Sequence, residues 1–213
     1  MTPETISDSS RRNVVLLAEH EQLTMTWTRF ACGERGPDLH VHHEHTDAFY
    51  VLEGQLTFEL GADAQQTTVA AGTFVAVPPY VPHSFIAASQ EDARWLNFHA
   101  PERGFADFLR SLRAGTPEQW DSFGVPDDGG RPASEAVIAG PGLGERLRTD
   151  DRELLIKGDL DDLCVVEWNC AEPPLPGGGP GAADELYVLA DGQVLHVHAP
   201  GRGFADTLRR MAD

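Results

Sequence analysis

The 213-residue sequence predicts an all-β protein, an antiparallel barrel or sandwich with a short amphipathic helix after each of two copies. Three observations support this. Short apolar runs, spaced by glycine and proline, fill residues 23–99. A histidine-rich run, His40-Val-His-His-Glu-His-Thr-Asp47, leads into one of them. A twelve-residue segment from the middle of the chain returns at its C-terminal end.

Met1 to Asn13 is polar, has little to bury and reads as a flexible tail. Leu23-Thr-Met-Thr-Trp-Thr-Arg-Phe30 alternates with period two, as a half-buried strand does. Gly33, Gly36 and Pro37 break it. Ala48 to Leu60 is a strand folded over at Gly54-Gln55 by a hairpin turn. Thr67 to Ala70, Thr73 to Val77, His83 to Ala87 and Trp95 to His99 complete the series, with Pro78-Pro-Tyr-Val-Pro82 as a rigid loop into His83. Phe105, Phe108, Leu109 and Leu112 then fall at i, i+3, i+4 and i+7. They predict a helix whose stripe packs on the outside of the barrel or in an interface. Thr116 to Pro132, rich in Gly, Pro and Asp, reads as an ordered linker anchored by Trp120 and Phe123.

The composition excludes several functions. Sixteen Lys and Arg face 34 Asp and Glu, a net charge of −18. Nucleic acid needs clustered positive charge, and an anionic membrane repels this balance. No apolar run reaches the length of a membrane span, and no basic-then-apolar leader opens the chain. Cys32, Cys164 and Cys170 are scattered and form no C-x-x-C, which fits a reducing compartment. A soluble, cytoplasmic protein with a small-molecule ligand is expected.

The repeat divides the chain. His99-Ala-Pro-Glu-Arg-Gly-Phe-Ala-Asp-Phe-Leu-Arg110 returns as His198-Ala-Pro-Gly-Arg-Gly-Phe-Ala-Asp-Thr-Leu-Arg209, identical at ten of twelve positions. Tyr187-Val-Leu echoes Tyr50-Val-Leu, and Leu163 to Trp168 echoes the strand around Trp27. Tyr50 to His99 is 49 positions and Tyr187 to His198 is 11, so about 38 residues are missing from the second copy. Aligned back from Tyr187, Gly177 stands for His40, Gly179 for His42 and Asp184 for Asp47. The second copy is therefore expected to bind no metal. Too short to close a barrel, it is expected to pack on the first or on a partner subunit. The divisions are a tail at 1–13, a first copy at 14–113, a linker at 114–150 and a truncated copy at 151–213.

The first copy carries the chemistry. In a strand, His-x-His places both imidazoles on one face, about 6–7 Å apart at Cα. With His40 and His42 inward, His43 points out, and a turn through Thr46 returns Asp47 to the inner face. His83 supplies a further imidazole. Together His40, His42, Asp47 and His83 make a borderline-hard site for one divalent transition metal per chain (Fe, Mn, Ni, Zn or Co) with positions left open. His43 and His45 read as surface residues. His99, which recurs as His198, reads as a structural residue fixing the strand-to-helix corner. Tyr80, one loop from His83, is a candidate gate.

The spacings His40-x-His42, four residues, Asp47, six residues, Gly54, and then Gly72, five residues, Pro78 and His83, resemble the two motifs of the cupin superfamily. The motifs cover roughly residues 36–87, and the resemblance in fold extends over 14–113. Two positions depart: the family's usual Glu is Asp47, and the glycine after its second-motif Pro is Tyr80. The resemblance implies a jelly-roll barrel of six to eight strands with a central metal, commonly a homodimer, and here a bicupin whose second half has degenerated. It also implies quercetin-dioxygenase-like oxygenase chemistry on a small oxygen-bearing substrate, or an isomerase. In the oxygenase reading, Asp47 is short enough to leave the metal and serve as the catalytic base. A non-catalytic sensory cupin is the competing reading, favoured by the degenerate copy and by the lack of an obvious arginine pair for a charged substrate.

Overall fold

The computed structural model describes residues 2–88, 90–148, 152–175 and 181–212. Its first part contains β1 (Glu4–Asp8), β2 (Arg12–His20), β3 (Leu23–Phe30), β4 (His40–Val41), β5 (Thr46–Glu53), β6 (Gln55–Leu60), β7 (Gln65–Ala70), β8 (Phe74–Val77), β9 (His83–Ile86), β10 (Ala93–Ala100) and helix α1 (Phe105–Ala114). The connecting segment and second part contain β11 (Phe123–Gly124), β12 (Val137–Ala139), β13 (Glu145–Arg148), β14 (Glu153–Asp159), β15 (Cys164–Trp168), β16 (Ala183–Val188), β17 (Val194–Ala199) and α2 (Phe204–Ala212). No helix among the described residues is long and apolar enough to cross a membrane.

The fold is an antiparallel jelly roll of two facing sheets. One runs β1-β2-β3-β10-β5-β8-β12, the other β11-β4-β9-β6-β7. Alternation along β5 decides what each face does. Asp47, Phe49 and Val51 point between the sheets, where Phe49 and Val51 join Phe58, Phe85, Val75 and Trp95 in the core. Ala48 and Tyr50 point to the other face, which is also covered. With both faces covered, β5 reads as a nearly unbroken apolar run.

The expected flexible tail is ordered over its described residues, 2–13. Glu4–Asp8 pairs with β2 through Glu4↔Leu16 and Thr5↔Val15, and Ile6 is buried against Leu16 beneath α1. The stretch looks polar because an edge strand buries only alternate residues. The linker is more structured than its composition suggests: β11 pairs with β4, and β12 adds to β8.

The second part repeats one whole sheet of the first. β13-β14-β15-β17-β16 follows the order β1-β2-β3-β10-β5 strand for strand. The registers agree as well: His198 lies opposite Asp184 as His99 lies opposite Asp47, and Leu195 opposite Tyr187 as Leu96 opposite Tyr50. Among the described residues nothing corresponds to β6–β9, where about 38 residues are missing. Leu163, Val165, Leu195 and Val197 pack back to back against Met25, Leu96 and Phe98 of the first part. On the opposite face α2 closes the sheet, with Phe204 and Leu208 against Ile156, Val166 and Trp168. Gly177 and Gly179, aligned with His40 and His42, lie outside the described residues.

Candidate metal centre

Three histidines converge between the sheets. β4 and β9 bring His40 directly opposite His83, and His42 follows at the end of β4. Ring centroids are 4.3 Å apart for His40 and His83, 4.8 Å for His40 and His42, and 5.1 Å for His42 and His83. Each offers a ligand atom, all within 4.8 Å of one another. Backbone carbonyls orient the rings. Nδ1 of His40 donates to Asp38 O at 2.9 Å, Nδ1 of His83 to Val81 O at 3.0 Å, and Nδ1 of His42 to Asp121 O. A neutral imidazole has one donor nitrogen, so committing Nδ1–H leaves every Nε2 with a lone pair. Burial, followed by the neighbouring His83 and His42, pushes the pKa of His40 down to about 3, so it stays neutral.

Asp47 completes the set from β5. Its Oδ2 lies 3.3 Å from His83 Nε2 and 3.8 Å from His42 Nε2. Although one methylene shorter than glutamate, it faces the histidines. Burial opposes its charge, but the carboxyl is held well below the usual carboxylate range, and Asn97 donates to its Oδ1. Oδ2 and the Nε2 atoms are then all acceptors in a buried space, and His42 Nε2 has no partner. A divalent cation satisfies lone pairs that converge in this way, so the residues fit a divalent metal.

A second layer fixes the carboxylate. Asn97 donates Nδ2–H to Asp47 Oδ1 at 2.6 Å and to Ala48 O at 2.9 Å. Its Oδ1 therefore accepts from His99 Nε2 at 3.1 Å. Burial keeps the His99 pKa far below the usual range, so its Nδ1 has no proton and accepts from His45 Nε2 at 2.9 Å. His45 Nδ1 also bonds Asp121 Oδ2 at 2.7 Å. Burial works against the charge on Asp121. The bonds from His45 and from the amides of His43 and Glu44 nevertheless hold its carboxyl well below the usual range.

One sequence reading is corrected here and one is extended. His45 is fully buried, not a surface residue. His99 supports the centre through Asn97 and also packs on Phe105 at the strand-to-helix corner, a corner that Glu102 also holds, accepting from Thr24 and from the Gly104 amide. His43 does lie outside, stacked between Phe123 at 4.1 Å and Tyr80 at 4.6 Å. The reading of residues 116–132 as linker missed Asp121 and the role of Trp120. Both meet the histidines more than 70 positions away in sequence. An anchoring aromatic beside an acid was the only local signal.

Residues 26–99 match the family described as cupin domain, a span from β3 to β10 that includes both motifs. Residues 26–99 thus form a cupin domain. Among solved structures it is similar to KdgF from Halomonas sp., with 20% identity over 47% of this chain and 87% of that one and a TM-score of 0.42. It is also similar to an RmlC-like cupin from Shewanella frigidimarina, with 22% identity over 47% of this chain and 86% of that one and a TM-score of 0.41. The polyketide cyclase RemF from Streptomyces resistomycificus shows 22% identity over 44% of this chain and 67% of that one, with a TM-score of 0.39. A search of the curated proteins gives no match.

The cupin's centre opens into a cavity of about 550 Å³. Its wall is largely aromatic and aliphatic, including Phe85, Trp95, Phe105, Phe108, Leu109 and Trp120, and His40, His42, Asp47 and Asn97 also line it. Helix α1 therefore roofs the cavity and does not sit on the outside of the barrel. Tyr80, 43% exposed, is not part of the wall, which removes the structural basis for a gate. Arg12 and Arg113 do reach the wall. Both are already paired, Arg12 with Glu34 and Arg113 with Glu4. The second copy, expected to carry no ligand set, brings Asp184, His196 and His198 together.

Proposed function

We propose that this cupin binds a divalent transition metal through His40, His42, His83 and Asp47, and acts as a metal-dependent oxygenase on a small, mainly apolar, oxygen-bearing organic molecule. The observation that supports it is the convergence of carbonyl-anchored imidazoles and a carboxylate beside an apolar cavity. A bound ion would supply a Lewis acid with open positions for an oxygen donor. The chain's own residues do the rest. The aromatic wall grips a planar molecule and excludes water. Asn97 keeps Oδ1 of Asp47 occupied, which leaves Oδ2 as the atom free to ligate or to take a proton from a bound substrate. The paired arginines favour a neutral or weakly polar molecule over a strongly anionic one.

The test has two stages. Elemental analysis of protein purified without a histidine tag should find metal, and His83→Ala should remove the part bound in the barrel. Oxygen uptake is then followed with flavonols, enols and diketones. Uptake that depends on metal and is lost in His83→Ala supports the oxygenase reading. Product without oxygen uptake would indicate an isomerase. Ligand binding without any turnover would leave a binding protein.

A further inference from the structure

We propose that the second copy holds its own divalent-metal site, formed by Asp184 of β16 with His196 and His198 of β17. Asp184 lies opposite His198 in register, and His196 shares a face with His198 two residues away. Asp184 Oδ1 is 2.8 Å from His196 Nε2 and 2.7 Å from His198 Nδ1, and the three ligand atoms converge within 4.8 Å.

Comparison with the first copy explains the origin of the site. The same register positions there hold Asp47, Asn97 and His99. Asn97 can only support the carboxylate, because its Nδ2 donates and has no lone pair to give. With His196 at that position, the support becomes a ligand. Two imidazoles and one carboxylate then come from a single sheet, without the facing sheet that provides His40, His42 and His83. The set resembles a facial triad with open positions and suits the same borderline-hard divalent ions.

The surroundings favour a site over a relic. Where the first copy has Thr24, Thr26 and Thr28 facing inward, the second has Cys164, Val166 and Trp168, packed against Phe204. A sheet face repacked with apolar side chains still keeps two imidazoles. His196 is fully buried, and its Nδ1 has no hydrogen-bond partner. Among the described residues its one hydrogen bond is to Asp184, so one of its two ring nitrogens is left buried and unsatisfied. Phe204 stacks on His198 at 3.8 Å and fixes its plane. The Asp184 side chain is 25% exposed, which gives an ion a route in and water for its remaining positions. With an ion bound, each ring would offer it the nitrogen now facing Asp184 as a lone pair and carry its proton on the other ring nitrogen.

Zinc titration of the chelator-stripped full chain tests this. With His40→Ala and His83→Ala combined to disable the barrel site, calorimetry should still find one equivalent of Zn²⁺. Adding Asp184→Asn, which keeps the side chain's size and polarity, should weaken that binding at least tenfold, as should His198→Ala. In the unsubstituted chain, the imidazole NMR signals of His196 and His198 should shift as zinc is added. If the double variant folds and binds no zinc, or if neither ring responds to excess zinc in the unsubstituted chain, the second site does not exist.

Discussion

His40 shows how much a single buried imidazole ties stability to pH. In the folded chain it stays neutral down to about pH 3, whereas its ordinary value is 6.5. The unfolded state therefore binds more protons between those values. The contribution of His40 is complete above pH 6.5 and drains away as pH falls toward 3. By pH ~5 the loss from this residue alone is about 2 kcal/mol. Urea unfolding of the metal-free protein at pH 7 and pH 5 should show at least that difference, and equal stabilities would contradict a neutral His40. Asp121 gives the second prediction at this scale. It holds His45 and two backbone amides through its carboxylate, and its own carbonyl holds His42. Removing such a supporting partner typically weakens metal binding 10–100-fold. Asp121→Ala should do so, read by competition with a chelator, while His40 and His83 remain in place. The spacing of the histidines, Asp47 and Gly54 made the first layer legible in sequence. The second layer was not, because Asp121, Asn97 and His45 act through contacts between distant segments that no local pattern encodes.

At the scale of elements, the hairpin between β5 and β6 shows why the first motif ends in glycine. Gly54 has φ +71°, and a Cβ there would lie 2.5 Å from Asp92 O. Left-handed strain alone costs about 1–3 kcal/mol for a non-glycine residue, and the backbone contact adds to it. Gly54→Ala should therefore lower thermal stability by several degrees, with metal content unchanged in the fraction that stays folded. Period-two alternation and turn residues were enough to place β3, β5, β6, β8, β9 and β10 nearly residue for residue. The amphipathic stripe of α1 also showed in sequence, but not what it would cover. An apolar stripe fits the outside of a barrel or the roof of a cavity equally well, and the contact of Phe105 with His99 at 3.7 Å settles it. β1 and β12 escaped notice because edge strands carry too few buried residues to give a pattern.

At the scale of the molecule, the repeat was visible in the sequence, but the way the two copies join was not. The seam is mostly apolar, with polar links from Thr46 to Asp162 and from His20 to Glu185 and a buried staple at Lys157. Lys157 is buried, donating Nζ–H to Gly140 O at 2.6 Å and to Gly72 O at 3.0 Å. It also lies 3.4 Å from Glu167, which accepts from the Tyr50 hydroxyl at 2.7 Å. Burial pulls the Lys157 pKa down while Glu167 opposes the shift, so the pair stays matched only while both are present. Lys157→Ala leaves the carboxylate and two carbonyls without their cation, which for a buried pair costs about 3–5 kcal/mol. The important feature is where that loss appears. Tyr50 and Gly72 belong to the barrel, and Lys157 and Glu167 to the second sheet, so a staple between them couples the two. If the copies unfold as one unit, Lys157→Ala should lower the urea midpoint for release of the barrel metal as much as the midpoint for loss of strand signal. If only the second sheet melted earlier while the barrel kept its metal, the two copies would be separate folding units joined by a removable seam.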